Sequence, residues 1–212
     1  LKYIISDKSI YIQPSDWVCN IWKNYKCCNN INIKTLPFGV DTETFKNDKL
    51  IEKRDKIFIY FKYRFPTELE YLENFLKNKN IEYIIFYYEN KYKESQYLSY
   101  LKECKYGIFV TSGESQGFAL EEALSCNVPL LVWNVRTLNQ QTASTTLPSY
   151  FATSIPYWDN RCGEFFYDKD ELEEKHKLFM SNLDKYNPRE YILENLTYEK
   201  CEEKLIKLIN EK

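Results

Sequence analysis

The stretch that decides the fold of this chain runs from Glu114 to Asn134 and reads ESQGFALEEALSCNVPLLVWN. Its pattern predicts a helix over residues 117–126, followed by an apolar, proline-led strand over 129–133. A short apolar strand is predicted over 107–111, and the small residues 112–113 join it to the helix. The first turn of such a helix presents unpaired N–H groups and a partial positive charge. The stretch is therefore typical of a loop that binds phosphate.

Strand and helix patterns alternate outward from this stretch, between residues 56 and 168. Alternation at this spacing indicates βαβ units, and therefore a parallel sheet that helices cover on both faces. The predicted class is α/β with a doubly wound parallel sheet, followed by a helical C-terminal tail. The predicted strands are 57–61, 81–88, 107–111, 129–133, 151–154 and 164–167; the predicted helices are 68–79, 94–104, 117–126, 171–183, 189–196 and 197–209.

The first 45 residues follow a different pattern. Residues 4–5 and 10–12 are strand-like, and a short amphipathic helix is predicted over 17–25. A boundary or linker is predicted between about residues 34 and 55, where PFGVD (37–41) forms a turn-rich connection.

Composition argues against several classes of protein. The 212 residues carry a net charge of −2 and a pI of about 5.7, and Lys and Glu are interleaved, so the clustered positive charge of a nucleic-acid binder is not seen. No apolar run approaches the roughly 18 residues of a transmembrane segment. The seven cysteines contain no C-x2-C pair and there is one histidine, so a zinc site is not predicted. The scattered cysteines favour a reducing, cytoplasmic compartment.

Two carboxylates flank the predicted helix start, Glu114 before it and Glu122 within it. At 1.5 Å per residue, Glu122 lies about 7 Å along the helix axis. A diphosphate at the helix start would have one carboxylate near each of its ends, and carboxylates accept hydrogen bonds from hydroxyl groups. This layout fits a nucleoside diphosphate sugar, with the sugar at one end and the ribose at the other.

Such a ligand also needs cations nearby. A carboxylate about 7 Å from a phosphate charge is repelled by about 2 kcal/mol at an effective dielectric constant near 20, whereas the helix dipole returns only about 0.3–2 kcal/mol. Lys62 and Arg64 directly follow the strand predicted over 57–61, and both residue types bind phosphate. We therefore expect them at the strand end that faces the helix start.

At these residues the sequence resembles the donor-site signature of retaining glycosyltransferases of the GT-B fold, family 4 type. Glu114 and Glu122 form its E-x7-E pattern. PFGVDTETF (37–45) resembles the sequence that joins the two domains of that family. Lys62 and Arg64 fall where the family keeps an Arg and a Lys for the diphosphate, although the spacing here is tighter and the usual Gly-Arg lead-in is absent. The residues in register are Glu114, Gly117, Phe118, Glu122, Ala123, Cys126 and Pro129.

The resemblance implies a Rossmann-like donor-binding domain over 46–212, the C-terminal half of a GT-B fold. Residues 1–45 would be a remnant of an N-terminal domain with the interdomain linker. It implies a nucleoside diphosphate sugar as donor and no bound metal or other cofactor. Glu114 would contact sugar hydroxyls and act with Lys62 and Arg64 in a retaining transfer. Donor binding would fall to Ser115, Gln116, Gly117, Phe118 and Glu122.

Several alternatives stay open at this point. The sequence leaves the acceptor open between a glycan, a lipid, a protein and a small molecule, and a peripheral membrane contact is compatible with it. A non-catalytic nucleotide-sugar-binding module is the main alternative, because most of an acceptor domain is missing from the resemblance. A nucleotide-sugar epimerase is disfavoured, because it needs acid and base groups that are not evident here.

Some residues near the signature have simpler interpretations. Glu121 is expected on the solvated face of its helix, Phe118 in the helix core rather than against a sugar, and His176 on the surface. Tyr87 and Tyr88 lie at a strand end and are candidates for stacking on a base.

Overall fold

The computed structural model describes residues 9–142 and 148–210. The strands are β1 (Tyr11–Gln13), β2 (Ile33–Thr35), β3 (Lys56–Lys62), β4 (Ile84–Tyr87), β5 (Cys104–Thr111), β6 (Leu130–Trp133) and β7 (Gly163–Phe166). The helices are α1 (Asp16–Lys23), α2 (Pro66–Asn78), α3 (Glu94–Leu101), α4 (Phe118–Ser125), α5 (Leu172–Ser181), α6 (Pro188–Asn195) and α7 (Tyr198–Asn210). Among the described residues, no helix is long and apolar enough to cross a membrane.

The main sheet has five parallel strands in the order β4-β3-β5-β6-β7. From β3 the chain crosses through α2 to β4 on one side, and then through α3 to β5 on the other side. Where the strand order reverses in this way, a crevice opens beyond the carboxyl ends of the two neighbouring strands, and ligands bind there. Lys62 pairs with Thr111, so the ends of β3 and β5 lie side by side at this crevice.

Strand side chains alternate between two hydrophobic cores. Phe58 and Tyr60 of β3 belong to the core beneath α3, α4 and α6, whereas Ile59 and Phe61 belong to the core beneath α2 and α5. A parallel sheet needs this cover on both faces, because its strands are apolar on both sides. The predicted class, a doubly wound α/β fold with a helical C-terminal tail, is confirmed.

Two predicted element boundaries near the middle of the chain are wrong. The helix predicted over 94–104 ends at Leu101, and Cys104 instead pairs with Lys56 at the start of β5. β4 begins at Ile84, three residues later than its apolar pattern indicated. Strand pairing with a neighbour decides both limits, and the local pattern does not contain that information.

The N-terminal and late-chain strand predictions also need correction. No strand was predicted over residues 33–35, yet β2 forms there and pairs with β1 in a separate two-stranded parallel sheet. The strand predicted over 151–154 does not form, because Phe151 makes only an isolated antiparallel bridge with Thr137. Residues 4–5 lie outside the described residues.

Residues 37–45 are fastened to the C-terminal helices. The N–H of Val40 donates to the carbonyl of Leu196 at 2.8 Å. The guanidinium of Arg189 donates to the carbonyls of Thr42 and Phe45, both at 3.1 Å. The connection into the main sheet is therefore part of the packed body of the domain.

His176 is buried, contrary to its predicted place on the surface. Its side chain is on α5, is 7% exposed and packs edge-on against Phe75, with the ring centres 5.2 Å apart. Two flanking lysines gave the segment a polar appearance, but the helix turns His176 inward between them. Burial, and to a lesser degree the charge of Lys79, lowers the pKa of His176.

We expect this histidine to destabilise the fold in acid. The unfolded chain takes up a proton below about pH 6.5, whereas the folded chain keeps His176 neutral until a lower pH. The free energy of unfolding of the wild type, relative to His176→Leu, should therefore fall by about 1 kcal/mol per pH unit below that point. Denaturant midpoints for both proteins on either side of that pH measure it. The carboxyl groups titrate in both proteins, so their contribution cancels in the difference between wild type and His176→Leu. If the free energies of unfolding of the two proteins change in parallel with pH, the expectation is contradicted.

Candidate functional site

A cavity of about 740 Å³ opens at the carboxyl ends of β3 and β5, where the strand order reverses. Its walls come from the end of β3, the turn after β4, the start of α3, and the loop that leads into α4. This volume is within the range of roughly 300–1,000 Å³ that small-molecule sites occupy. The position is the one at which doubly wound sheets bind their ligands.

Lys62 and Glu114 meet in the wall of this cavity. Lys62 ends β3 and Glu114 follows β5, and the pairing of these strands brings the Lys62 Nζ within 2.9 Å of the Glu114 carboxylate. The two side chains are only 20% and 10% exposed. The Lys62 Nζ also lies 4.6 Å from the centre of the Tyr88 ring. The ammonium group of Lys62 therefore lies at the predicted anion site, where it is paired with the Glu114 carboxylate.

The loop between β5 and α4 is hydrogen-bonded to the protein at Glu114, whereas the backbone N–H groups nearer the helix have no partner among the described residues. The N–H of Glu114 donates to the carbonyl of Thr153, and the carbonyl of Glu114 accepts from the Trp17 Nε1–H, both at 2.9 Å. Gly117 has a φ of 90°, in the left-handed region that favours glycine, and α4 begins at the next residue. In the described chain, the backbone N–H groups of residues 115–120 donate no hydrogen bond to the protein. They can therefore serve an anion.

Glu122 reaches the same cavity from α4. Burial, and then the charge of Glu94, raises the pKa of Glu122 to about 8. The carboxyl group is therefore mostly protonated at neutral pH and can donate as well as accept a hydrogen bond. Tyr60 and Tyr92 also line the cavity, with their hydroxyl oxygens 3.0 Å apart.

Glu121 is fully buried, which corrects its predicted place on a solvated helix face. Most of α4 is covered by the sheet and by neighbouring segments, so the helix has almost no solvated face. Both carboxyl oxygens of Glu121 accept from the Gln116 Nε2, at 2.8 and 3.0 Å. Burial raises the pKa of Glu121 to about 8, although the hydrogen bond from Gln116 acts in the opposite direction.

Arg64, which was expected beside Lys62, does not line the cavity. Its guanidinium is buried and forms an ion pair with Glu68. The same group donates to the carbonyls of Thr111 at 3.1 Å and Trp133 at 2.9 Å. Arg64 therefore ties the ends of β5 and β6 to the start of α2.

The second cation of the cavity is Lys91, which the sequence analysis missed. It follows the short helical turn after β4 and has a left-handed backbone, with a φ of 47°. The carboxyl groups that line the cavity outnumber these two lysines; they are Glu89, Glu94, Glu114 and Glu122. The one available sequence signal was a run of charged residues directly after a strand, at the sheet edge where ligands bind.

Exposed and half-exposed aromatic rings border the cavity. Phe118 is 50% exposed and lies 6.0 Å, centre to centre, from the ring of Phe38, so it is not in the helix core as predicted. It occupies the first position of α4, where a side chain projects over the helix end. Of the two tyrosines expected near a base, Tyr88 lines the cavity, whereas Tyr87 contacts Phe61 in the core beneath α2 and α5.

No metal-binding arrangement is present among the described residues, where no three or more His, Cys, Asp and Glu side chains come together suitably. The cysteines are unpaired, and all but Cys27 are buried. The expectation that the site works without a metal stays a prediction.

Comparison with known proteins gives a fold and no sequence family. No family model matches the sequence, and no curated protein matches it. A glycosyltransferase from Rickettsia africae ESF-5 superposes on 99% of this chain with a TM-score of 0.63 and 12% identity. Sucrose-phosphate synthase from Thermosynechococcus elongatus superposes on 95% with a TM-score of 0.59 and 11% identity. This chain spans 65% and 58% of those two chains, and over that span it has their fold.

Proposed function

We propose that this chain is the donor-binding part of a glycosyltransferase that transfers a sugar, with retention, from a nucleoside diphosphate to an acceptor. The observation that carries the proposal is the Lys62–Glu114 pair beside the unpaired amides at the start of α4. The shared fold with a glycosyltransferase and the resemblance at Glu114 and Glu122 support it.

In this proposal the diphosphate lies at the start of α4. The amides of residues 115–120 and the positive end of the helix face it. Lys62 lines the same cavity, and its charge stabilises the negative charge that develops on the departing nucleoside diphosphate. Such fixed donors lower the barrier without a metal ion, because their orientation is set before the reaction.

Glu114 and Glu122 take the two ends of the donor. Glu114 accepts hydrogen bonds from hydroxyl groups of the sugar, and its pairing with Lys62 keeps the carboxylate oriented in the cavity. Glu122, mostly protonated at neutral pH, holds the ribose from the other side. Tyr88, with its exposed ring on the cavity wall, is placed to stack on the base.

Glu114→Gln tests the sugar contact. We expect the affinity for a nucleoside diphosphate sugar to fall about tenfold, because an amide replaces a charge-assisted acceptor worth about 1.5–3 kcal/mol. Affinity for the nucleoside diphosphate alone should hold or rise, because Lys62 loses a competing carboxylate. Calorimetric titration with UDP, GDP and sugar conjugates of both measures the two effects, with Glu43→Gln as an exposed control. An equal loss for both ligand types would contradict the assignment.

Binding of the diphosphate should weaken as the solution becomes alkaline. The pKa of Glu122 is raised to about 8, so the group is neutral below that pH and becomes a carboxylate above it. The new charge, about 7 Å from the phosphates, costs about 2 kcal/mol at an effective dielectric constant near 20. We expect roughly tenfold weaker nucleotide binding one to two units above pH 8, and a smaller loss in Glu122→Gln. The charged and titratable groups near it are Glu94, Glu121, Tyr60, Tyr92 and Tyr97.

Turnover of the donor distinguishes the proposed transferase from a non-catalytic nucleotide-sugar-binding module. The protein, supplied with a nucleotide sugar and candidate acceptors, should transfer the sugar or slowly hydrolyse the donor if the proposal holds. Tight nucleotide binding with neither reaction would favour the module.

A further inference from the structure

The side chain of Gln116 turns away from solvent although it belongs to the loop of the donor site. It is 3% exposed. Its amide oxygen accepts from the N–H of Phe38 at 3.0 Å, and its amide nitrogen donates to the carbonyl of Phe38 at 3.2 Å. One side-chain amide thus pairs with both backbone groups of a residue that lies far away in sequence.

Glu121 supports this amide from the helix side. Glu121 does not line the cavity, and its side chain is fully buried. Its two carboxyl oxygens lie within hydrogen-bonding distance of the Gln116 nitrogen. Burying a carboxyl group is unfavourable unless it is hydrogen-bonded, and Gln116 supplies that bond.

The segment that Gln116 grips is itself fixed. Phe38 lies two residues before Val40, whose N–H binds the carbonyl of Leu196, and its ring faces that of Phe118. The loop is therefore tied to the packed body of the domain through Phe38. Amides of a loop bind an anion well only if their directions are set in advance.

We propose that Gln116 and Glu121 are positioning residues of the donor site, which hold the loop of residues 114–118 against the backbone of Phe38. The inference rests on the proposed function for its effect on affinity. It makes the segment before Asp41 a functional part of the site, although no side-chain atom of Gln116 or Glu121 needs to touch the donor.

The test compares single and double substitutions. Gln116→Leu removes both bonds to Phe38 and leaves Glu121 buried without a partner, so both stability and affinity for UDP or GDP should fall. The double variant Gln116→Leu/Glu121→Leu replaces both groups by apolar ones, which is nearly neutral for stability. We expect it to recover most of the stability while nucleotide affinity stays about tenfold below wild type. Glu121→Gln, which keeps an acceptor for Gln116, should bind nucleotide within about threefold of wild type.

Amide hydrogen exchange gives a readout that needs no ligand. The N–H groups of Phe38 and Glu114, which are hydrogen-bonded in the wild type, should exchange faster in the double variant, while β5 stays protected. Recovery of affinity together with stability, or a Phe38 N–H that exchanges freely in wild type, would overturn the inference. If wild type binds no nucleotide, the proposed function fails, and the exchange rates still decide whether Gln116 and Glu121 fix the loop.

Discussion

Lys62→Met should weaken the binding of UDP or GDP by roughly 10- to 150-fold. The substitution keeps the length of the side chain and removes its charge, and a hydrogen bond to a charged group is worth about 1.5–3 kcal/mol. The loss should exceed that of Lys91→Met, because Lys62 is the more enclosed of the two cavity lysines and lies beside the start of α4. Isothermal calorimetry on the three proteins measures the order.

The loss of affinity can be assigned to the missing charge only if the Lys62→Met protein is folded. Lys62 loses its pair with Glu114, which leaves that carboxylate 10% exposed and without its cation. Thermal unfolding of Lys62→Met reports any such cost, and Lys62→Met/Glu114→Gln removes it. We expect the double variant to be as stable as wild type and still to bind nucleoside diphosphates weakly. Affinity within threefold of wild type in a folded Lys62→Met protein would remove the main support for a diphosphate site.

Arg64→Met should lower the free energy of unfolding by about 3–5 kcal/mol, the usual cost of breaking a buried ion pair from one side. Glu68 loses its partner, and the carbonyls of Thr111 and Trp133 lose a donor in a region closed to water. Urea denaturation measures the effect. Arg64→Lys should recover only part of it, because an ammonium group lacks the planar fork that reaches all three acceptors.

The same variant separates a structural from a ligand-binding arginine. At a temperature where Arg64→Met remains folded, nucleotide affinity should stay within about threefold of wild type. Arg136→Met, at an exposed arginine paired with Asp168, serves as the control for loss of a charge. A large loss of affinity with unchanged stability would return Arg64 to the diphosphate site.

Much of the fold could be predicted from the sequence because its signals are local. Apolar runs of strand length alternate with amphipathic stretches, and that alternation alone requires a parallel sheet with helices on both faces. The resemblance at Glu114 and Glu122 likewise predicted the loop at the strand end around which the cavity forms. Strand limits such as the start of β5 at Cys104 depend on pairing with a distant strand, so local patterns miss them.

The failures at the site have a geometric cause. Lys62 and Arg64 are two residues apart and would share one face of a continued strand, but Tyr63 has a φ of 54°, which ends the strand and sends Arg64 elsewhere. Glu121 looked like a solvated residue because Glu122 follows it. The sequence does not show that nearly every face of α4 is covered, nor that Gln116 lies within reach of Glu121.

The fastening of residues 37–45 to the last helices limits where the gene can be trimmed. A recombinant piece that starts at residue 46 would lose the two carbonyls that bind Arg189, and it would uncover the niche that Val40 and Phe45 fill next to Leu196. Gly39, which lies too close to Tyr198 to accept even a methyl group, belongs to the same seam. A minimal crystallisable unit therefore has to begin upstream of Pro37. Its yield will depend on keeping both residues 37–45 and the C-terminal helices against which they pack.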